Sequence, residues 1–193
     1  MMHTADLLKV VAQYRGDSIV ISGRGGKHWI ELSDTALDLP LGDPAMGGHS
    51  GFGLGLALAR PEKRVILFDS EGDILMSMGQ LATIAEQAPA NFYHFILDNE
   101  VYATTGGQPV PNAKRVDYAM IARGAGYNRA FNFSELEAFS SALPAILGAP
   151  GPVFVALKVW PEVENTPIGQ RVRWRKRSAD KVVRDLRGAL NVG

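Results

Sequence analysis

Three short apolar runs, VILF at 65–68, FYHFIL at 92–97 and PVFVALKV at 152–159, carry almost nothing polar at either of their alternating positions. A strand with one wet face alternates apolar with polar, so runs that are apolar throughout belong to a parallel sheet buried on both faces. The β-branched SIVIS at 18–22 reads the same way. Parallel neighbours need a crossover of a dozen residues or more, and the intervening segments supply helices. In MMHTADLLKVVAQY, Leu7, Leu8, Val10, Val11 and Tyr14 share a helical face, with Gly16 as the stop. A small-residue helix is predicted over 48–60 and another over 74–87, with Leu75, Met78, Leu81, Ile84 and Ala85 near helical spacing. Asp117 is expected to cap a helix through about Ala125, a short strand to surround Ala130, and Ser134 with Glu137 to form a capping box for a helix through about Leu147. The pattern is that of a doubly wound α/β fold, a mostly parallel sheet with helices on both faces. Residues 23–47 show no firm period.

The 193 residues suit one domain, with a core over about 5–160 and a basic C-terminal extension over 162–193. In that extension Arg171, Arg173, Arg175, Lys176 and Arg177 read as a solvated or subunit-contacting face, followed by a helix from about Ser178 whose Val182, Val183, Leu186 and Leu190 could dock on the body. Twenty basic residues balance twenty acidic ones, so no global field draws the chain to nucleic acid or to a membrane surface. With no cysteine, disulfides, thiolate-bound zinc, iron–sulfur clusters and a thiol nucleophile are excluded. No signal-type run opens the chain and no eighteen apolar residues are consecutive, so a cytoplasmic location is expected.

In an open parallel sheet, ligands bind beyond the carboxyl ends of the strands. Three segments meet there: SGRGGK at 22–27, DSEGD at 69–73 and DNEVYATTGGQ at 98–108. Backbone amides at a glycine-containing helix start attract phosphate, and a neighbouring carboxylate can hold the magnesium ion that neutralises a diphosphate. Asn99, one helix and one strand later, offers a second hard oxygen ligand.

These residues also carry a resemblance. GHSGFGLGLALARPEKRVILFDSEGD, LATIAEQAPANFYHFILDN and TTGGQ resemble the pyrophosphate-binding domain of thiamine diphosphate (ThDP)-dependent 2-oxo acid decarboxylases of the sulfopyruvate and phosphonopyruvate type. The likeness covers most of 5–160 and is strongest between 44 and 108. It implies the ThDP-binding fold, ThDP and Mg²⁺ as cofactors, and decarboxylation of a small 2-oxo acid. The family's GDG falls on Ser70, Glu71 and Gly72, so a glutamate stands where the metal-ligating aspartate is usual, and Asp73 follows where Ser or Ala is usual. Glu71, Asn99 and the Val101 carbonyl are the implied metal ligands; a register shifted onto Asp73 also fits the spacing. Arg24, Met46, Gly47, His49, Ser50, Gly72 and Asp73 join them as implied cofactor contacts. Met46 is the apolar prop for a bent ThDP, or else simply core. His49, Thr105 and Gln108 are the catalytic candidates, Gly106 and Gly107 letting their loop move as a lid. His94 is read as structural. Arg24, Lys27 and His28 could receive a diphosphate or a substrate sulfonate, phosphonate or carboxylate.

The glutamate that activates ThDP lies on a separate pyrimidine-binding domain in such enzymes. A chain of 193 residues has room for one of the two, so an alpha-type partner subunit and a hetero-oligomer are expected. Three alternatives stand beside this reading: carboligation of the acetolactate synthase kind, a non-catalytic subunit with a degenerate site, and a dinucleotide-binding module. The last is disfavoured because LDLPLGDPAM, with two prolines, stands where a strand should precede the first glycine.

Overall fold

The computed structural model describes residues 1–41, 46–171 and 173–192. Pro44, the second proline of LDLPLGDPAM, lies outside the described residues. In chain order the elements are α1 (Thr4–Ala12), β1 (Ile19–Ser22), α2 (Trp29–Leu32), β2 (Asp38–Pro40), α3 (Gly48–Ala59), β3 (Val65–Ser70), α4 (Glu71–Met76) and α5 (Gln80–Gln87). They continue with β4 (Phe92–Asp98), β5 (Val101–Tyr102), β6 (Gln108–Pro109), α6 (Tyr118–Gly124), β7 (Arg129–Phe133), α7 (Leu136–Gly148), β8 (Val153–Lys158) and α8 (Ala179–Ala189). Six strands form one parallel sheet in the order β2-β1-β3-β4-β8-β7, and β5 with β6 makes a small antiparallel pair.

Alternate residues of each central strand go to opposite faces, and both faces are covered. Val65, Leu67, Phe92, Ile96 and Phe154 pack with Leu54 of α3, Ile84 of α5, Tyr118 of α6 and Leu186 of α8. Ile66, Phe68, Phe95, Val153 and Val155 pack on the other side with Leu7 and Leu8 of α1 and Phe139 and Leu143 of α7. That two-sided burial is why VILF and FYHFIL lack a polar alternation. The exception, His94, lies fully buried on the first face between the rings of Phe92 and Phe154.

Several helix boundaries differ from expectation. The 74–87 helix is two: α4 starts at Glu71, capped by Ser70, and Ser77 leaves the helical region at φ −137° before α5 begins after Gly79. Ser134 does not cap α7, because extended backbone continues from β7 through Glu135 (φ −119°, ψ 131°) and no side-chain cap forms. Asp117 does cap α6, accepting from the Met120 amide at 2.9 Å. Tyr14 lies beyond the end of α1 and is exposed. In α8, Val182, Leu186 and the following Leu190 are buried at four-residue spacing, whereas Val183, a third of a turn round, is exposed.

Residues 23–40 are ordered by tertiary contacts that no periodicity announces. The buried Asp38 carboxylate accepts from Trp29 Nε1 (2.8 Å), Ser33 Oγ (2.6 Å), the Thr35 amide (2.7 Å) and the Arg15 guanidinium (3.1 Å). The basic extension folds back onto the same region: Arg177 pairs with Asp34 and Asp185 and donates to the carbonyls of Thr35 and Asp38. Lys176 donates to the Ile30 carbonyl. Arg177 is thereby taken up in contacts within the chain, where a solvated or subunit-contacting face was expected, while Lys176 stays half exposed. No described helix is long and apolar enough to cross a membrane.

Candidate cofactor site

The chain runs from β1 outward to its neighbour β2 and then returns through α3 to β3 on the other side of β1, so the direction of winding reverses between β1 and β3. At such a switch point the loops leaving adjacent strands diverge and leave a crevice. A cavity of about 260 Å³ occupies it, walled by the turn after β1 (Gly23, Arg24), the β3–α4 junction (Asp69, Asp73) and the loop after β4 (Asn99, Tyr102). Among the residues expected at the site, Arg24, Met46, Gly72, Asp73, Asn99, Val101 and Thr105 all line this cavity.

Ser70 is the N-cap of α4. Ser70 Oγ accepts from the Asp73 amide (3.1 Å) and donates to Asp73 Oδ2 (2.6 Å), while Asp73 Oδ1 accepts from the Gly47 amide (2.8 Å). Asp73 therefore ties the start of α4 to the start of α3. Burial and the nearby Asp69 carboxylate push its pKa up to about 6. Gly47 has φ +86°, and a Cβ there would lie 2.3 Å from Ser77 Oγ and 2.7 Å from the Asp73 carbonyl, so only glycine allows this join.

Glu71 is in a different condition. It is fully buried, and neither carboxylate oxygen has a hydrogen-bond partner. Burial pushes its pKa up to about 8, with Asp98 adding to the shift; the amides of Glu71, Asn99 and Val101 pull the other way. Asn99 Oδ1 accepts from the Val101 amide at 2.9 Å. A buried carboxylate without partners costs several kcal/mol unless it is protonated or meets a cation. The donor types gathered here, carboxylate, amide oxygen and backbone carbonyl, are those of a hard divalent ion. The residues present thus fit Mg²⁺.

A second group, His49, Asp69 and Asp73, brings one ligand atom from each within 4.8 Å of the others. Its carboxylates are already served. Asp69 Oδ1 lies 3.8 Å from His49 Nδ1 and Oδ2 lies 3.4 Å from His94 Nε2. Burial raises the Asp69 pKa, but the two imidazoles outweigh it and hold the group well below the usual carboxylate range. Asp73 has its amide and hydroxyl donors. Of Asp69, Glu71 and Asp73, Glu71 is the one whose oxygens form no hydrogen bond or ion pair, which favours the Glu71 register over the Asp73 register.

Of the other expected residues, Gly47, His49, Ser50, Glu71 and Gln108 do not line the cavity. His49 is buried, beside Asp69 and under Gly23, where a Cβ would come within 2.9 Å of its ring. Ser50 is buried too, its hydroxyl 2.7 Å from Gln80 Oε1 and 3.1 Å from the Gly47 carbonyl. Gln108 is exposed on β6 and receives the Thr105 hydroxyl at 3.1 Å. Met46 is exposed, which removes its reading as core. Sequence reasoning missed Asp69 and His94 as a pair. Their signal is positional: Leu67 sits opposite His94 in the β3–β4 register, so Asp69, two residues on, shares its face.

The family model described as thiamine pyrophosphate enzyme, C-terminal TPP binding domain, matches residues 27–157. Phosphonopyruvate decarboxylase of Streptomyces viridochromogenes is 34% identical over 159 residues, covering 81% of this chain and 39% of that protein. Sulfopyruvate decarboxylase subunit beta of Methanococcus maripaludis is 33% identical over 165 residues, covering 84% of this chain and 86% of that one. The subunit beta of Methanocaldococcus jannaschii is 43% identical over 125 residues, covering 63% and 65%. The chain thus spans under half the length of the phosphonopyruvate decarboxylase it matches. A solved structure of a candidate thiamin diphosphate-dependent enzyme from Mycobacterium smegmatis superposes with a TM-score of 0.70 over 83% of this chain and 32% of that chain, at 19% identity, a likeness of fold.

Proposed function

The chain belongs to the thiamine pyrophosphate enzyme family through its C-terminal TPP-binding domain, and from that premise we propose that it is the ThDP- and Mg²⁺-binding subunit of a 2-oxo acid decarboxylase acting on sulfopyruvate or phosphonopyruvate. The observation that carries the cofactor reading is the Glu71 carboxylate, fully buried behind the cavity-lining Gly72, Asn99 and Val101, with neither oxygen in a formed hydrogen bond. Glu71, Asn99 Oδ1 and the Val101 carbonyl would hold Mg²⁺, and the metal would hold the diphosphate. ThDP, when bound, supplies the electron sink into which a 2-oxo acid loses CO₂.

The chain's own groups bind and orient. Asp73, spent on Gly47 and Ser70, fixes α3 against α4 so that Met46 projects from the cavity wall. Gly72 lets the Tyr102 ring close within 3.2 Å of where a Cβ would be, shutting water from that side. The loop of Thr104 and Thr105, followed by Gly106 (φ +109°) and Gly107 (φ +83°), would serve as the cover over the cavity. His49 lies buried behind the wall beside the Asp69 carboxylate, and in this reading it positions that carboxylate and does not touch the substrate.

A partner subunit carrying the activating glutamate completes the site in this reading; relatives from three methanogens bear the name subunit beta. The test is calorimetric titration of ThDP with Mg²⁺ into the wild type, Glu71→Asp and Glu71→Gln. The shorter carboxylate restores the family's aspartate and should tighten binding by roughly ten-fold, and the amide should abolish metal-dependent binding. Equal affinities in all three forms would remove Glu71 from the metal centre.

A further inference from the structure

Beside the main cavity lies a side chamber of about 50 Å³ that shares Arg24, Gly25, Asn99, Ala103 and Thr104 with it. Its floor carries the cations Arg24 and Lys27, and its outer wall is the segment Val159–Glu164 that follows β8. One carboxylate of that segment is seated among the basic groups: Glu162 Oε2 lies 2.9 Å from Lys27 Nζ, and the two Glu162 oxygens lie 2.9 and 2.8 Å from His28 Nε2. The segment is strapped to the cover loop, since the Glu164 amide donates to the Ala103 carbonyl at 2.8 Å and the Arg171 guanidinium donates to the carbonyls of Thr104 and Thr166, each at 2.7 Å.

A carboxylate held by a lysine and an imidazole, in a chamber that Arg24 also lines, occupies the geometry an organic oxyanion needs. Lys27 and His28 are each 34% exposed and Glu162 is 42% exposed, so the pair is in water's reach and is readily exchanged. We propose that Arg24, Lys27 and His28 form the subsite for the substrate's distal acid, a sulfonate or a phosphonate, and that Glu162 is the chain's own carboxylate that fills this subsite until the substrate displaces it. The proposal rests on the decarboxylase reading for the identity of the substrate, and it gives that reading a reason for a second acidic group: the 2-oxo acid end reacts in the main cavity while the other end lies next door. Displacement of Glu162 would also loosen the Val159–Glu164 strap from the cover loop, coupling substrate entry to that loop.

The experiment titrates sulfoacetate, phosphonoacetate and acetate, and separately Mg²⁺ with ThDP, into the full chain as wild type, Glu162→Gln and Lys27→Met, with thermal melts to verify folding. Removing the internal competitor should tighten sulfoacetate or phosphonoacetate roughly five-fold, and removing the lysine should weaken it at least about ten-fold, with acetate weak throughout and ThDP affinity the same in all three. The tighter of the two diacids identifies the distal group. A Glu162→Gln chain that binds neither diacid more tightly than wild type, or a Lys27→Met chain that binds both unchanged, overturns the subsite. If the diacids follow the expected pattern while ThDP binds to none of the forms, the decarboxylase reading falls and the oxyanion site stands.

Discussion

Glu71 sets the behaviour of the ligand-free chain at the residue scale. Its folded pKa of about 8 lies above its ordinary 4.5, so the folded state binds the proton more tightly than the unfolded one. The stability it contributes is full below the ordinary value and is lost as pH rises through about 8. Asp73, raised to about 6 from 3.8, works in the same direction over a lower window. Asp69 has the opposite sign, but its window lies below its ordinary value of 3.8, in acid. Urea melts of the cofactor-free chain should therefore show stability falling between pH 5 and 8 by on the order of a few kcal/mol, with Glu71→Gln flattening most of the slope. A flat wild-type profile would contradict the burial of that carboxylate. DSEGD was legible as an acidic turn at a strand end, but which carboxylate lacks donors was not. Ser70 and Gly47 satisfy Asp73 through contacts 3 and 26 residues away in sequence, and only the folded chain brings Gly47 there.

At the scale of elements, the junction of α3 with α4 carries the cavity. Gly47→Ala would place a methyl against Ser77 Oγ and the Asp73 carbonyl while forcing a side-chain residue to φ +86°. We expect a cost of roughly 2–4 kcal/mol in a denaturant melt, and ThDP binding weakened in the protein that still folds; an unchanged midpoint would mean that the junction is loose. The apolar strands and most helices were readable because two-sided burial and helical spacing leave marks on single positions. The α4–α5 break was not, since Ile74, Leu81 and Ile84 keep a helical rhythm across the interrupted stretch. Residues 23–40 were opaque for another reason: α2 and β2 are held by Asp38, whose donors come from Arg15, Trp29, Ser33 and Thr35.

At the scale of the whole molecule, the proposed function makes this chain one half of an active site: a cofactor cradle at the switch point of a parallel sheet, beside a basic side chamber that the Val159–Glu164 segment closes. The exposed Met46 and Met76 at the cavity mouth are then surfaces for the pyrimidine-binding partner to cover. Native mass spectrometry of the chain isolated from its own cells in magnesium buffer should show a second, different subunit; this chain alone, with added partner also failing to bind, would contradict the split-site reading. The cofactor class was legible through the resemblance of 44–108 to ThDP enzymes, which is carried by contiguous stretches of linear sequence. The strap was not, because Glu162 meets Lys27 and His28 across the length of the fold. The most direct measurement is a crystal structure of the chain grown with ThDP and Mn²⁺ in place of Mg²⁺, with the metal located by its anomalous signal. The account predicts one peak bound by Glu71, Asn99 and the Val101 carbonyl; a peak at His49, Asp69 and Asp73, or none with ThDP present, would contradict it.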